Sequence, residues 1–89
     1  MVHLNIRITG KVQGVYYRSS AKEKAEELGL TGFVRNEPDE SVYLEVEGTA
    51  DQIEKLVAWC KQGPPGAKVQ NVITMEGALE SFKTFEIRR

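Results

Sequence analysis

Apolar residues in this chain recur with two different periods, and the order in which those periods alternate is the strongest limit on its fold. In HLNIRIT, Leu4, Ile6 and Ile8 alternate with His3, Asn5, Arg7 and Thr9, which predicts a strand with one apolar face. Gly10 ends it. In SSAKEKAEELGL, Ala21, Ala25 and Leu28 repeat at helical spacing, and Ser20 with Glu23 fits a capping box. Gly29 suits the left-handed position just past that helix, with Leu30 folding back beyond it. TGFVRN is short and β-prone, and EPDES is a turn. SVYLEVEG alternates again, with Val42, Leu44 and Val46 on one side and Tyr43, Glu45 and Glu47 on the other. Thr49 and Gln52 form a second capping box, and Ile53, Leu56, Val57 and Cys60 mark the stripe of a second helix. Gly63, Pro64 and Pro65 stop it. VQNVITME and SFKTFEI supply one further strand and a short terminal one.

The order is therefore β-α-β-β-α-β with a small C-terminal addition. Each strand has one apolar face, each helix has one apolar stripe, and crossovers between parallel strands are right-handed. An antiparallel sheet with both helices on one face satisfies all three, which predicts an α+β, ferredoxin-like split βαβ fold. With 89 residues the chain is expected to form one domain, residues 1–89. No apolar run approaches the ~18 residues of a spanning helix. The single Cys60 cannot close an internal disulfide, and MVHLNIRIT lacks the apolar block of a signal peptide, so a cytoplasmic protein is expected. Twelve basic residues against thirteen acidic ones leave no basic field for general nucleic-acid binding.

The fold class decides nothing about activity. The chemistry must lie in a site, and GKVQGVYYR, between the first strand and first helix, is the strongest candidate. A glycine-containing loop entering a helix N-terminus is a natural anion cradle, because successive backbone N–H groups and the helix field favour negative charge. Gly14 lets the backbone approach closely. Arg18 is unfavourable at an empty helix N-terminus, yet its planar fork can hold two oxygens of a bound phosphate. The same loop also reads as a plain turn with an exposed arginine, and spacing alone leaves both readings open. The loop matches neither the Rossmann nor the Walker pattern.

The remaining inventory is sparse. Cys60 lies on the apolar stripe and reads as core packing, while His3 starts the first strand and reads as a surface residue. Of Tyr16 and Tyr17, one ring is expected buried and one exposed, and Trp59 is expected to pack at an edge. Asn36 taken alone reads first as a strand-closing residue that satisfies a turn. No metal-ligand spacing appears.

At these residues the chain resembles the acylphosphatase family. The first family signature is glycine, any residue, Val-Gln-Gly-Val, any residue, an aromatic and arginine, and Gly10 through Arg18 meet it in full. The second is glycine, aromatic, small apolar, basic and asparagine, met by Gly32, Phe33, Val34, Arg35 and Asn36. Glu47-Gly48, the GPPGAKV segment and the closing FEI extend the resemblance over essentially the whole chain. It implies hydrolysis of small acyl phosphates to a carboxylate and inorganic phosphate, with no metal, no cofactor and no phosphoenzyme. It implies that Arg18 and the amides of Gly14, Val15, Tyr16, Tyr17 and Arg18 bind the phosphoryl group, and that Asn36 orients the attacking water. The chain departs from the family at Glu40, where glycine is usual. Glutamate there predicts either mild strain or a different turn type.

Two other functions fit the scaffold. One is a non-catalytic, phosphate-binding regulatory module, against which the intact Asn36 argues. The other is RNA binding, which SVYLEVEG disfavours by placing glutamates where bases would stack. Neither a nucleic-acid nor a membrane partner is expected, and a monomer is the default.

Overall fold

A computed structural model describes all of residues 1–89. The chain forms β1 (Val2–Lys11), α1 (Tyr17–Glu27), β2 (Thr31–Asn36), β3 (Val42–Gly48), α2 (Ala50–Cys60), β4 (Lys68–Gly77) and β5 (Phe85–Arg88). The sheet order is β4-β1-β3-β2-β5. The first four strands pair antiparallel, as expected of the ferredoxin-like arrangement, but β5 runs parallel to β2, so the sheet is mixed. Strand order explains the exception. β4 finishes with Gly77 beside His3, and β5 starts with Phe85 beside Gly32, at the same end of the sheet. A chain that crosses at that end must run back alongside β2.

Both helices cover one face. Ile6, Ile8, Val34, Val42, Leu44 and Val46 of the sheet share a buried cluster with Ala21 and Ala25 of α1 and Ile53, Leu56 and Cys60 of α2. Each fully buried Leu or Ile contributes about 1.5–3 kcal/mol by leaving water, so this face supplies most of the stabilisation. The helix ends follow local rules in two places. Gln52 N–H donates to Thr49 Oγ1 at 3.2 Å, and Thr49 N–H donates to Gln52 Oε1 at 2.9 Å, completing the α2 capping box. At the end of α1, Gly29 takes φ 76°, its N–H donates to Glu26 O, and Leu30 N–H reaches back to Ala25 O at 2.8 Å.

The opposite face corrects one expectation. His3 is buried rather than on the surface, and Glu47, on the polar side of its strand, is buried as well. The cause is the crossing between β4 and β5. Residues 78–84 strap the open face, and Phe82 packs 5.7 Å from His3 and 5.9 Å from Phe33, ring centroid to centroid. The Glu47 carboxylate accepts the N–H groups of Glu80 and Phe82, so the strap is pinned through its backbone. His3 Nδ1 lies 2.8 Å from Glu47 Oε2, and Nε2 faces Asn5 Oδ1 at 2.9 Å and Glu45 Oε1 at 3.0 Å. Acceptors at both ring nitrogens suit the doubly protonated imidazolium.

The two partners therefore titrate away from their ordinary values. Burial opposes a charge on His3, but the Glu47 and Asn5 hydrogen bonds and the nearby carboxylates outweigh it and raise the pKa. Burial likewise works against the Glu47 carboxylate, but the Glu80 amide, His3 and the Phe82 amide together hold its pKa low. A raised histidine stabilises the fold fully below its unfolded pKa and loses that contribution as pH rises through the folded one. A depressed glutamate stabilises above its unfolded pKa and loses that contribution as pH falls. Stability from this pair should thus be greatest between about pH 4.5 and 6.5 and decline above it. Urea midpoints measured across pH 5–9 should fall with rising pH in the wild type. The fall should flatten in His3→Gln; an unchanged slope in that variant would remove His3 as its source.

Candidate active site

β1, β2 and β5 point the same way, so the loop after Lys11, Asn36 at the end of β2 and Ile87 near the end of β5 meet at one end of the sheet. There Gly14, Tyr16, Arg18, Ser19, Asn36 and Ile87, with the buried Val12 and Tyr17, line a cleft of about 380 Å³. The other cluster of chemically versatile groups, His3 with Glu45 and Glu80, lies at the far end of the sheet.

Helix α1 opens at Tyr17, three residues before the expected Ser20 cap. The Ser20–Glu23 box does not form, because Ser20 already sits within the first turn with its N–H donated to Tyr16 O. Tyr17 sets the early start. Its ring is 1 % exposed and 5.3 Å from Trp59, and its hydroxyl donates to the Cys60 carbonyl at 2.7 Å. The two tyrosines divide as expected, with Tyr16 at 83 % exposure. Trp59 likewise packs at the edge of the core against Tyr17.

The residue before the helix is Tyr16, held left-handed at φ 63°, and no side chain caps the helix. Gly14 is also left-handed, at φ 73°, with open space where a Cβ would stand. None of the N–H groups from Gly14 to Ser19 finds an acceptor within the protein. A serine or aspartate cap would have taken one or two of these donors. Left free beside the positive end of a helix, such donors suit an anion. The Val15 side chain turns away and packs against the core, so that residue offers only its amide.

Arg18 is half-buried and forms no ion pair, whereas Arg7, Arg35 and Arg88 each lie beside a carboxylate. Asn36 is half-buried, and its carboxamide makes no hydrogen bond within the protein. The cleft thus gathers a guanidinium, unused amides and a free carboxamide, and excludes carboxylates. Cys60 is core packing: its thiol is fully buried, and burial pushes its pKa up to about 12. One contributor escaped sequence reasoning. Gln13 Nε2 donates to the carbonyls of Glu37 and Ser41, at 2.9 Å each, and no local pattern forecasts a bond over that separation.

Beyond Asn36 the chain turns through Pro38 and Asp39, with Glu40 N–H donating to Glu37 O at 3.1 Å. Glu40 follows at φ 74°, so the strained alternative is the one adopted. Neighbouring bonds hold it there. Asp39 Oδ1 accepts from the hydroxyl and the N–H of Ser41, and with nearby Arg7 these keep the Asp39 carboxyl below its ordinary pKa. Arg7 Nη1 in turn donates to Ser41 Oγ at 3.0 Å.

The Acylphosphatase family model matches residues 4–87. An acylphosphatase of Acaryochloris marina is 49% identical over 89 residues, covering 100% of this chain and 96% of that protein. The structure of an acylphosphatase from Coxiella burnetii superposes with a TM-score of 0.95 at 41% identity, covering 98% of this chain and 92% of that one. That of an acylphosphatase from Bacillus subtilis gives 0.97 at 31% identity, with 100% of both chains covered.

Glu40→Gly should relieve the left-handed strain, worth about 1–2 kcal/mol, against an entropic gain of the unfolded chain of about 0.4–1 kcal/mol. A net stabilisation of about 0.5–1 kcal/mol in urea unfolding is expected. A destabilised variant would show that the Glu40 side chain contributes more than its backbone costs.

Proposed function

The chain belongs to the acylphosphatase family and is an acylphosphatase, and from that premise we propose that its cleft hydrolyses small acyl phosphates by direct attack of water. The phosphoryl group sits on the amides of Gly14 through Arg18 and in the fork of Arg18. The Asn36 carboxamide oxygen accepts from the attacking water and aims it at phosphorus. The new P–O bond forms as the bond to the acyl oxygen breaks. The electron pair leaves with the carboxylate, and the water's protons pass to the phosphate product and solvent.

The observation that carries this reading is the shared cleft, in which an unpaired guanidinium, unused amides and a carboxamide without a partner stand together. The reaction asks for little more. A carboxylate leaving group has a conjugate acid of pKa near ~4, so it departs without a general acid. Phosphoryl transfer passes through a loose transition state, in which positioning and stabilisation of the equatorial oxygens supply most of the catalysis. Phosphate monoesters, whose alkoxide leaving group needs a proton, should be poor substrates. The only ionisable side chains bordering the cleft are Tyr16, Tyr17 and Arg18, and burial raises Tyr17 further. No acid of the right strength is present there.

Steady-state hydrolysis of acetyl and benzoyl phosphate tests both roles. Arg18→Lys keeps the charge but loses the fork, and kcat/KM should fall on the order of 100-fold or more. Near wild-type turnover in that variant would remove bidentate binding from the mechanism. Asn36→Ala should lose turnover on the order of 100-fold, while inorganic phosphate continues to inhibit it competitively. Full turnover there would mean that the water is placed by another group.

A further inference from the structure

The cradle loop lies beyond the point at which β1 parts from β3, and the β2–β3 turn begins at that point. The β1–β3 ladder ends at Ile8 and Val42. After a bulge between Thr9 and Gly10, the end of β1 follows β4 instead, pairing Gly10 with Val69 and Lys11 with Lys68. Arg18 stands beyond one side of this division and Asn36 at the other. The ladders hold Asn36 to Val42 and Val42 to Ile8, but none reaches from there to the loop that leads into Arg18.

Gln13 closes the gap. Both hydrogens of its amide are used, one to Glu37 O and one to Ser41 O. Those are the carbonyls with which the turn closes itself: Glu37 O also accepts from Glu40 N–H, and Ser41 O from Glu37 N–H at 2.9 Å. The side chain therefore grips the neck of the hairpin, one residue past Asn36. No other hydrogen bond joins residues 12–19 to residues 36–41.

We propose that Gln13 is a positioning residue for hydrolysis, which sets the separation between the phosphoryl site at Arg18 and the water site at Asn36. The inference rests on the reading above, in which Asn36 holds the water. Gln13 itself touches neither reactant, and removing it leaves the guanidinium and the cradle amides in place. Its loss should therefore appear in turnover more than in affinity, since a displacement of about 1 Å can cost on the order of 100-fold in rate.

The test compares Gln13→Ala and the isosteric Gln13→Glu, with kcat taken per phosphate-binding site so that unfolded protein does not count. With benzoyl phosphate, kcat should fall about 10–100-fold in Gln13→Ala. Inhibition by inorganic phosphate should shift by less than about threefold. Gln13→Glu keeps the shape but sets acceptors against two carbonyls, and should lose at least as much. In an Asn36→Ala background there is no held water to misplace, so Gln13→Ala should cost less than about twofold more. Wild-type turnover by Gln13→Glu, phosphate affinity falling in step with kcat, or full persistence of the loss in the Asn36→Ala background would each overturn the proposal. Full turnover by Asn36→Ala alone would end the water-holding reading and take the tether with it. An impaired Asn36→Ala beside unimpaired Gln13 variants would end the tether alone.

Discussion

Backbone amides that the protein itself leaves without acceptors are the constraint around which this molecule is organised. Unsatisfied donors are tolerable only where water or a ligand can reach them. The run from Gly14 to Ser19 therefore has to lie open, at the mouth of a cleft. Left-handed backbone at Gly14 and Tyr16 shapes that run, and the buried ring of Tyr17 fixes where the helix begins. The guanidinium of Arg18 adds a cation where a helix N-terminus already disfavours one. The free donors and the Arg18 cation are each unfavourable to the fold alone, and under the proposed function a phosphoryl dianion would turn both into attractions.

The rest of the fold brings the other participants to the same place. Because β1, β2 and β5 are parallel in direction, three distant stretches of chain finish at one end of the sheet. The apolar helix side supplies the cohesion. The far face does a different job, since the strap pinned by Glu47 carries the chain to β5 and so delivers Ile87 to the cleft. The left-handed Glu40 is tolerated in this setting because Gln13, Asp39, Ser41 and Arg7 over-determine the turn around it.

Features set by neighbouring residues were legible in the sequence. Strand alternation, the Thr49–Gln52 box, the Gly29 stop and the split between Tyr16 and Tyr17 all depend on a few consecutive positions. Features set by distant residues were not. His3 looked exposed because the strap that covers it lies almost the whole chain away, and nothing near Glu47 in the sequence foretold that the same strap would bury it. The Ser20–Glu23 box obeyed a sound local rule and lost to Tyr17, whose contacts with Cys60 and Trp59 lie in another helix. Arg18 and Asn36 were singled out by paired signatures rather than by spacing, which left the loop ambiguous. The free amides resolve nothing about rate, but they explain why a chain would forgo a helix cap here.

Ile87, on a strand that forms last along the chain, borders the same cleft as Gly14, near its start. During synthesis the cradle emerges from the ribosome long before the strand that walls it in. The cleft cannot be enclosed until β5 has paired with β2, so its last wall depends on a contact between segments far apart in the chain.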